Sequence, residues 1–183
     1  MDLEAFVKTS ICQLVAAIRD ALIDADPAGR AGYERRAAAY TARLRRLDAD
    51  VARCIDRVPQ AKRKLVTTHD ALGYFAARYG IEVIGAVISS LSTQAQPSAK
   101  DLDELVGQIE HEGVEAIFPE ASLSRRLEQA ISRESGAEVG GQLWADTLGP
   151  AGSTGATYVG AIRANAAALA EGMSGGAVTC EFS

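Results

Sequence analysis

Apolar residues recur at three- and four-residue steps through the first third of the chain, which is the pattern of amphipathic helices. The segment "DADPAG" interrupts this pattern after residues 2–25, since Asp26 can cap a new helix and Pro27 fits its first turn. The second helix is predicted to run to about Arg57. Residues 1–58 are therefore predicted to form a helical hairpin of a long linking helix and a second helix. The apolar positions of the first helix are Phe6, Ile11, Leu14, Val15, Ile18 and Leu22.

After residue 58, short apolar runs alternate with helical patterns. This alternation is typical of a parallel sheet covered by helices on both faces. The sequence therefore predicts an α/β fold in which a four-stranded parallel sheet forms a lobe over residues 59–173, followed by a flexible tail over 174–183. The four predicted strands are "KLVTT", "EVIGAVI", "VEAIFPE" and "AEVGGQLWAD".

The charge pattern argues against two classes of partner. The formal net charge is −5, and the Arg-rich second helix also carries interleaved acidic residues, so no basic patch for nucleic acid is predicted. The longest apolar runs are too short to span a membrane. The start "MDLEAFVKTS" lacks the basic and apolar regions of a signal peptide, so the chain taken literally is expected in the cytoplasm.

The three cysteines, Cys12, Cys54 and Cys180, form no metal-binding or disulfide pattern. Two of them fall in helical segments and the third lies in the predicted tail. We therefore expect buried or half-buried free thiols.

Polar side chains gather where the predicted strands end. Ligands of parallel sheets bind at the carboxyl ends of the strands, so these side chains are expected to share one edge of the sheet. A histidine and several carboxylates at one edge suit a divalent metal ion. The strand-end residues are His69, Asp70, Ser89, Ser90, Ser92, Glu120 and Asp146.

Each of these residues also has a purely structural interpretation. Thr68 or Asp70 can cap the helix that follows His69, Glu120 can favour a helix dipole, and Asp146 can cap a turn. The second histidine, His111, lies near a helix end and is interpreted as an exposed residue that interacts with the helix dipole.

Motifs of nucleophilic catalysis are missing from the sequence. There is no G-x-S-x-G element, and the glycine-rich "GPAGSTGAT" has no lysine, so a flexible loop is the better interpretation than a phosphate loop. Nothing combines a nucleophile with a base and oxyanion donors. We therefore expect a binding protein and not an enzyme.

Five longer segments resemble one known family, the zinc and manganese ABC-transporter substrate-binding proteins (cluster A-I). The match extends over nearly the whole chain, to about Met173. The segments are "RKLVTTHDALGYFAARYGIEV", "LSTQAQPSAKDLDELV", "AIFPE", "GGQLWADTLG" and "TYVGAIRANAAALA".

In that family two α/β lobes are joined by a long helix and hold one metal ion between them. The resemblance implies that this chain is the carboxy-terminal lobe, with His69 and Asp146 as metal ligands. Glu120 matches a further family motif, and we expect Glu120 and Asp70 to orient or polarise the site without binding the metal. The implied ion is Zn²⁺, with Mn²⁺ as the alternative, because imidazole suits zinc while manganese favours oxygen ligands.

The resemblance also implies an ABC permease as partner and a periplasmic or cell-envelope location. The family's amino-terminal lobe and its two histidines have no counterpart here, so we expect a truncated protein with an incomplete site. The alternative is an interaction module that has lost tight metal binding. In either case, the apolar stripe of the first helix predicts self-association.

Overall fold

The computed structural model of the chain describes residues 3–88, 98–121 and 126–182, with side chains from residue 11 onward. Ser89, Ser90 and Ser92 lie outside the described residues. The helices are α1 (Leu3–Ala25), α2 (Arg30–Ile55), α3 (Gly73–Tyr79), α4 (Ala99–Glu112), α5 (Arg126–Ser135) and α6 (Tyr158–Met173). The strands are β1 (Lys64–His69), β2 (Glu82–Ile88), β3 (Ala116–Phe118) and β4 (Glu138–Val139).

The four strands form one parallel sheet in the order β2-β1-β3-β4, which confirms the predicted α/β fold. β4 is much shorter than the predicted strand, because Gly140 and Gly141 follow it directly. A side chain at Gly140 would overlap the Phe118 ring, so the chain leaves the strand in close contact with β3. It returns beside β3 further on, where Glu120 and Leu143 form an isolated parallel bridge.

Alternate residues of each strand point to opposite sides of the sheet, and helices pack on both faces. On β3, Ile117 packs in a cluster with residues of α4 and α5, whereas Phe118 faces Gly172 of α6. Both side chains are fully buried. The cluster on the first face consists of Val66, Val87, Leu105, Ile109, Val114, Ile117, Ile131 and Ala137.

The chain divides into two compact units, residues 1–50 and 51–183, and the division falls inside α2. In the first unit, Asp26 accepts a hydrogen bond from the N–H of Gly29 (3.2 Å), as a cap of the short 3₁₀ turn that precedes α2. The hydroxyl of Tyr33 also donates to Asp26 (3.0 Å), and this hydrogen bond to a carboxylate raises the pKa of Tyr33. Asp26 therefore caps the 3₁₀ turn that leads into α2, whereas the sequence predicts a cap of the long helix itself.

A disulfide bond joins Cys54 near the end of α2 to Cys180 near the end of the chain. The expectation of free thiols is wrong for these two residues, because the fold brings their Cα atoms to 5.4 Å across a separation of 126 positions. Cys12 is free. In the segment predicted as a flexible tail, Val178 is buried and the carbonyl of Thr179 accepts a hydrogen bond from Arg57.

Across the described residues, no helix is both long enough and apolar enough to cross a lipid bilayer.

Candidate metal centre

His69 is the last residue of β1, which pairs with β2 on one side and with β3 on the other. Its backbone is held on both sides of the residue: the N–H donates to Glu120, and the carbonyl accepts from the Thr67 hydroxyl (2.8 Å) and the N–H of Ala71 (2.9 Å). Only 8% of the residue is exposed. The imidazole therefore projects from a fixed backbone at the carboxyl edge of the sheet.

Glu120 lies behind the imidazole, just beyond the end of β3. Its Oε1 is 2.5 Å from the His69 Nδ1 and 2.9 Å from the His69 backbone N. Glu120 is 1% exposed, so this carboxylate is closed off from solvent on its own side of the ring. A carboxylate at Nδ1 fixes the ring orientation and leaves Nε2 as the nitrogen available to a ligand.

Asp146 lies on the opposite side of the ring, where its Oδ2 is 3.0 Å from the His69 Nε2. Its side chain is 60% exposed. The position of Asp146 depends on the segment before it, since the side-chain amide of buried Asn165 on α6 binds both the N–H (2.8 Å) and the carbonyl (2.7 Å) of Trp144.

The glycine-rich loop that follows Asp146 packs around Trp144. A side chain at Gly149 or at Gly155 would overlap the indole ring. The loop predicted to be flexible is therefore closely packed on the segment that carries Asp146.

Both nitrogens of His69 face carboxylate oxygens. A neutral imidazole has one N–H and one lone pair, so it can donate a hydrogen bond to only one of the two carboxylates. In a tetrahedral zinc site with metal–ligand distances of about 2.0–2.1 Å, two ligand atoms lie about 3.3 Å apart. The 3.0 Å between His69 Nε2 and Asp146 Oδ2 is close to that spacing.

A second layer of hydrogen bonds supports Glu120. The backbone N–H of Glu120 donates to the hydroxyl of Thr68 (3.1 Å), and this hydroxyl donates to Glu128 Oε1 on α5 (2.5 Å). Thr68 thus does not cap the helix that follows it. The residue before that helix, Leu72, makes no side-chain capping bond. The capping interpretation is therefore wrong for Thr68, whose hydroxyl is bound to Glu120 and Glu128 instead.

The structure brings His69, Glu120 and Asp146 together. His69 ends β1 and Glu120 follows β3 as predicted, whereas β4 ends at Val139 and Asp146 lies beyond it, after the bridge at Leu143. Asp70 is exposed, and none of the hydrogen bonds described for the imidazole involves it. The imidazole of His111 is also exposed and lies beside Glu112 (3.2 Å). The sequence gives no indication of the roles of Thr68, Glu128 and Asn165, although Glu128 falls three residues before Ile131 on the apolar face of α5.

Among the described residues, no set of three His, Cys, Asp or Glu side chains could hold a metal ion. The reason lies in the geometry: Glu120 occupies the far side of the ring, which leaves one nitrogen and one carboxylate on the open side.

A comparison with protein families matches residues 9–172 to the family described as zinc-uptake complex component A, periplasmic. This match covers most of the chain. The chain belongs to this family. Its relatives include proteins named for zinc, manganese and iron.

The zinc-binding protein TroA of Treponema pallidum (strain Nichols) is 36% identical over 156 residues, which are 82% of this chain and 50% of that protein. The manganese-binding lipoprotein MntA of Bacillus subtilis (strain 168) is 34% identical over 138 residues, 73% of this chain and 44% of that protein. The iron-binding protein YfeA of Yersinia pestis is 29% identical over 155 residues, 85% of this chain and 49% of that protein.

The solved structure of the periplasmic zinc-binding protein TroA superposes with a TM-score of 0.80 at 33% identity, covering 87% of this chain and 58% of that one. The chain thus spans about half the length of the relatives it matches.

Proposed function

We propose that the chain binds a divalent transition-metal ion as the carboxy-terminal lobe of the solute-binding component of a metal ABC importer. The observation that carries the proposal is the pair of His69 Nε2 and Asp146 Oδ2, 3.0 Å apart on the open side of an imidazole that Glu120 holds from behind. The role is binding and not catalysis: the metal is cargo, and an ABC permease is the receiving partner.

Zn²⁺ is the ion that this donor pair favours, with Mn²⁺ as the alternative. An imidazole nitrogen suits zinc, whereas manganese favours oxygen ligands. The names of the relatives include zinc, manganese and iron, which supports a transition metal as the class of cargo.

Two protein ligands do not complete a zinc site, which usually has four ligands, or three and a water. We propose that water or residues from outside the described lobe complete the coordination of the ion. We also propose a periplasmic or cell-envelope location. The disulfide between Cys54 and Cys180 supports this location, because such bonds persist in oxidising compartments. The periplasmic family description and the lipoprotein names of the relatives support it as well.

The test is titration calorimetry with Zn²⁺ on the wild-type chain and two histidine variants. His69→Ala should abolish the binding, because it removes the nitrogen donor and leaves Asp146 alone. His111→Ala is the matched control, since it removes the other histidine of the chain from an exposed position away from the site. Absence of binding at millimolar Zn²⁺, or equal binding by His69→Ala, would refute the proposal.

The second candidate is an interaction module that self-associates through α1. The observation that favours it is the exposure of Leu14 (54%), Ile18 (53%) and Leu22 (43%), which follow one another at four-residue steps. Residues at this spacing share one face of a helix, and an apolar face exposed to water favours association.

A further inference from the structure

Glu128 is a charged residue type at a position where an apolar one would be expected. It lies on the inner face of α5 with Ile131, three residues later, and it is 0% exposed. Burying a carboxylate is costly unless hydrogen bonds compensate for the lost water.

The contact described for the Glu128 carboxylate is the hydroxyl of Thr68, at 2.5 Å from Oε1. The second oxygen, Oε2, is buried and has no hydrogen-bond partner among the described residues. A carboxylate accepts hydrogen bonds and a hydroxyl has a single proton, so Thr68 donates that proton to Glu128. This contact fixes the rotation of the Thr68 hydroxyl.

A fixed hydroxyl presents its lone pairs in a defined direction. The backbone N–H of Glu120 donates to this oxygen (3.1 Å), and Oε1 of Glu120 accepts from the ring and the backbone N–H of His69. A continuous chain of hydrogen bonds therefore leads from Glu128 on α5, through Thr68 on β1 and Glu120 beyond β3, to the imidazole. Without the acceptor at Glu128, Thr68 could turn its proton toward the Glu120 N–H and lose that contact.

We propose that Glu128 is a positioning residue that sets the orientation of the His69 imidazole through Thr68 and Glu120. The inference rests on the proposed function in one respect, that His69 is the ligand whose orientation matters for metal binding. Partners behind a ligating histidine typically change metal affinity by about 10–100-fold when they are mutated.

The experiment compares two pairs of variants. Glu128→Leu and Thr68→Val remove a member of the series of hydrogen bonds, whereas Glu128→Gln keeps an acceptor and Thr68→Ser keeps a hydroxyl. Ile131→Ala is the control for a loss of stability on the same face of α5, since Ile131 is buried in the apolar cluster and takes no part in these hydrogen bonds. Two readouts are needed: the Zn²⁺ affinity by calorimetry, and the ring-nitrogen NMR signals of His69 in the metal-free chain.

Both breaking variants should lower the Zn²⁺ affinity by about 10–100-fold. They should also shift or broaden the Nδ1 signal of His69, whereas the two conservative variants and Ile131→Ala should resemble the wild type. If Glu128→Leu behaves like Ile131→Ala in the NMR spectra, the proposal is overturned. If the wild-type chain binds no zinc, the proposed function fails, and the NMR spectra alone decide whether Glu128 orients the ring.

Discussion

Reduction of the Cys54–Cys180 disulfide should destabilise the chain strongly. The bond links positions 126 residues apart, so it closes a loop that contains most of the second unit. The chain-entropy relation assigns about 5 kcal/mol to a loop of this length at 25 °C. Native disulfides usually contribute less than this limit, so we expect a loss of about 2–5 kcal/mol in the free energy of unfolding.

The assay is urea unfolding of the same wild-type chain in oxidised and reduced form, which changes the bond without introducing a cavity. Cys12→Ser, measured under both conditions, controls for oxidation of the free thiol. The double variant Cys54→Ser with Cys180→Ser should match the reduced wild type. Equal stability of the oxidised and reduced chains would refute the reasoning, because closing the loop would then have no effect on the free energy of unfolding.

Three further changes should have measurable effects. Asn165→Leu removes the hydrogen bonds to two backbone groups of Trp144, so the free energy of unfolding measured with urea should fall by about 2–4 kcal/mol. A fall of less than about 0.5 kcal/mol would contradict this. The Lys64 ammonium lies 2.7 Å from the Glu112 carboxylate and lowers the pKa of Glu112. The pair therefore stabilises the fold fully at pH values above the ordinary pKa of a glutamate, and this stabilisation is lost as the pH falls through the lowered pKa. Lys64→Met should raise the pKa of Glu112 in an NMR titration, and an unchanged pKa would exclude Lys64 as the cause. Ile18→Glu should dissociate any oligomer formed through α1, whereas a wild-type monomer in sedimentation at tens of micromolar would show that this surface does not associate.

The sequence was sufficient to locate the edge of the sheet where the site lies. Short apolar runs mark parallel strands, and the carboxyl ends of parallel strands meet at one edge, so His69 and Glu120 could be placed together. The sequence also places Asp146 there as the end of a long fourth strand, but β4 ends at Val139 and Asp146 reaches the edge from the segment after the Leu143 bridge. The identity of His69 and Asp146 as metal ligands is a prediction that the affinity measurements must test.

The supporting contacts could not be predicted in the same way. Cys54 and Cys180 carry no spacing signal, because their proximity results from the packing of two distant segments. Glu128 and Asn165 look like ordinary polar residues of amphipathic helices until their burial is known. Periodicity indicates which face of a helix is buried, but it does not reveal which polar group on a neighbouring strand a buried side chain will meet.

The side chains of the two donors of the proposed site differ greatly in their exposure to water. His69 ends a strand that is paired on both sides, and hydrogen bonds restrain its ring from behind, whereas Asp146 is 60% exposed on a segment that follows the last strand. Exchange of a bound ion would therefore begin with the bond to Asp146, because that donor can swing into water while the imidazole stays in place. The rate at which the proposed site releases its ion would then be a property of the Asp146 side chain, and the strength of binding chiefly a property of the histidine.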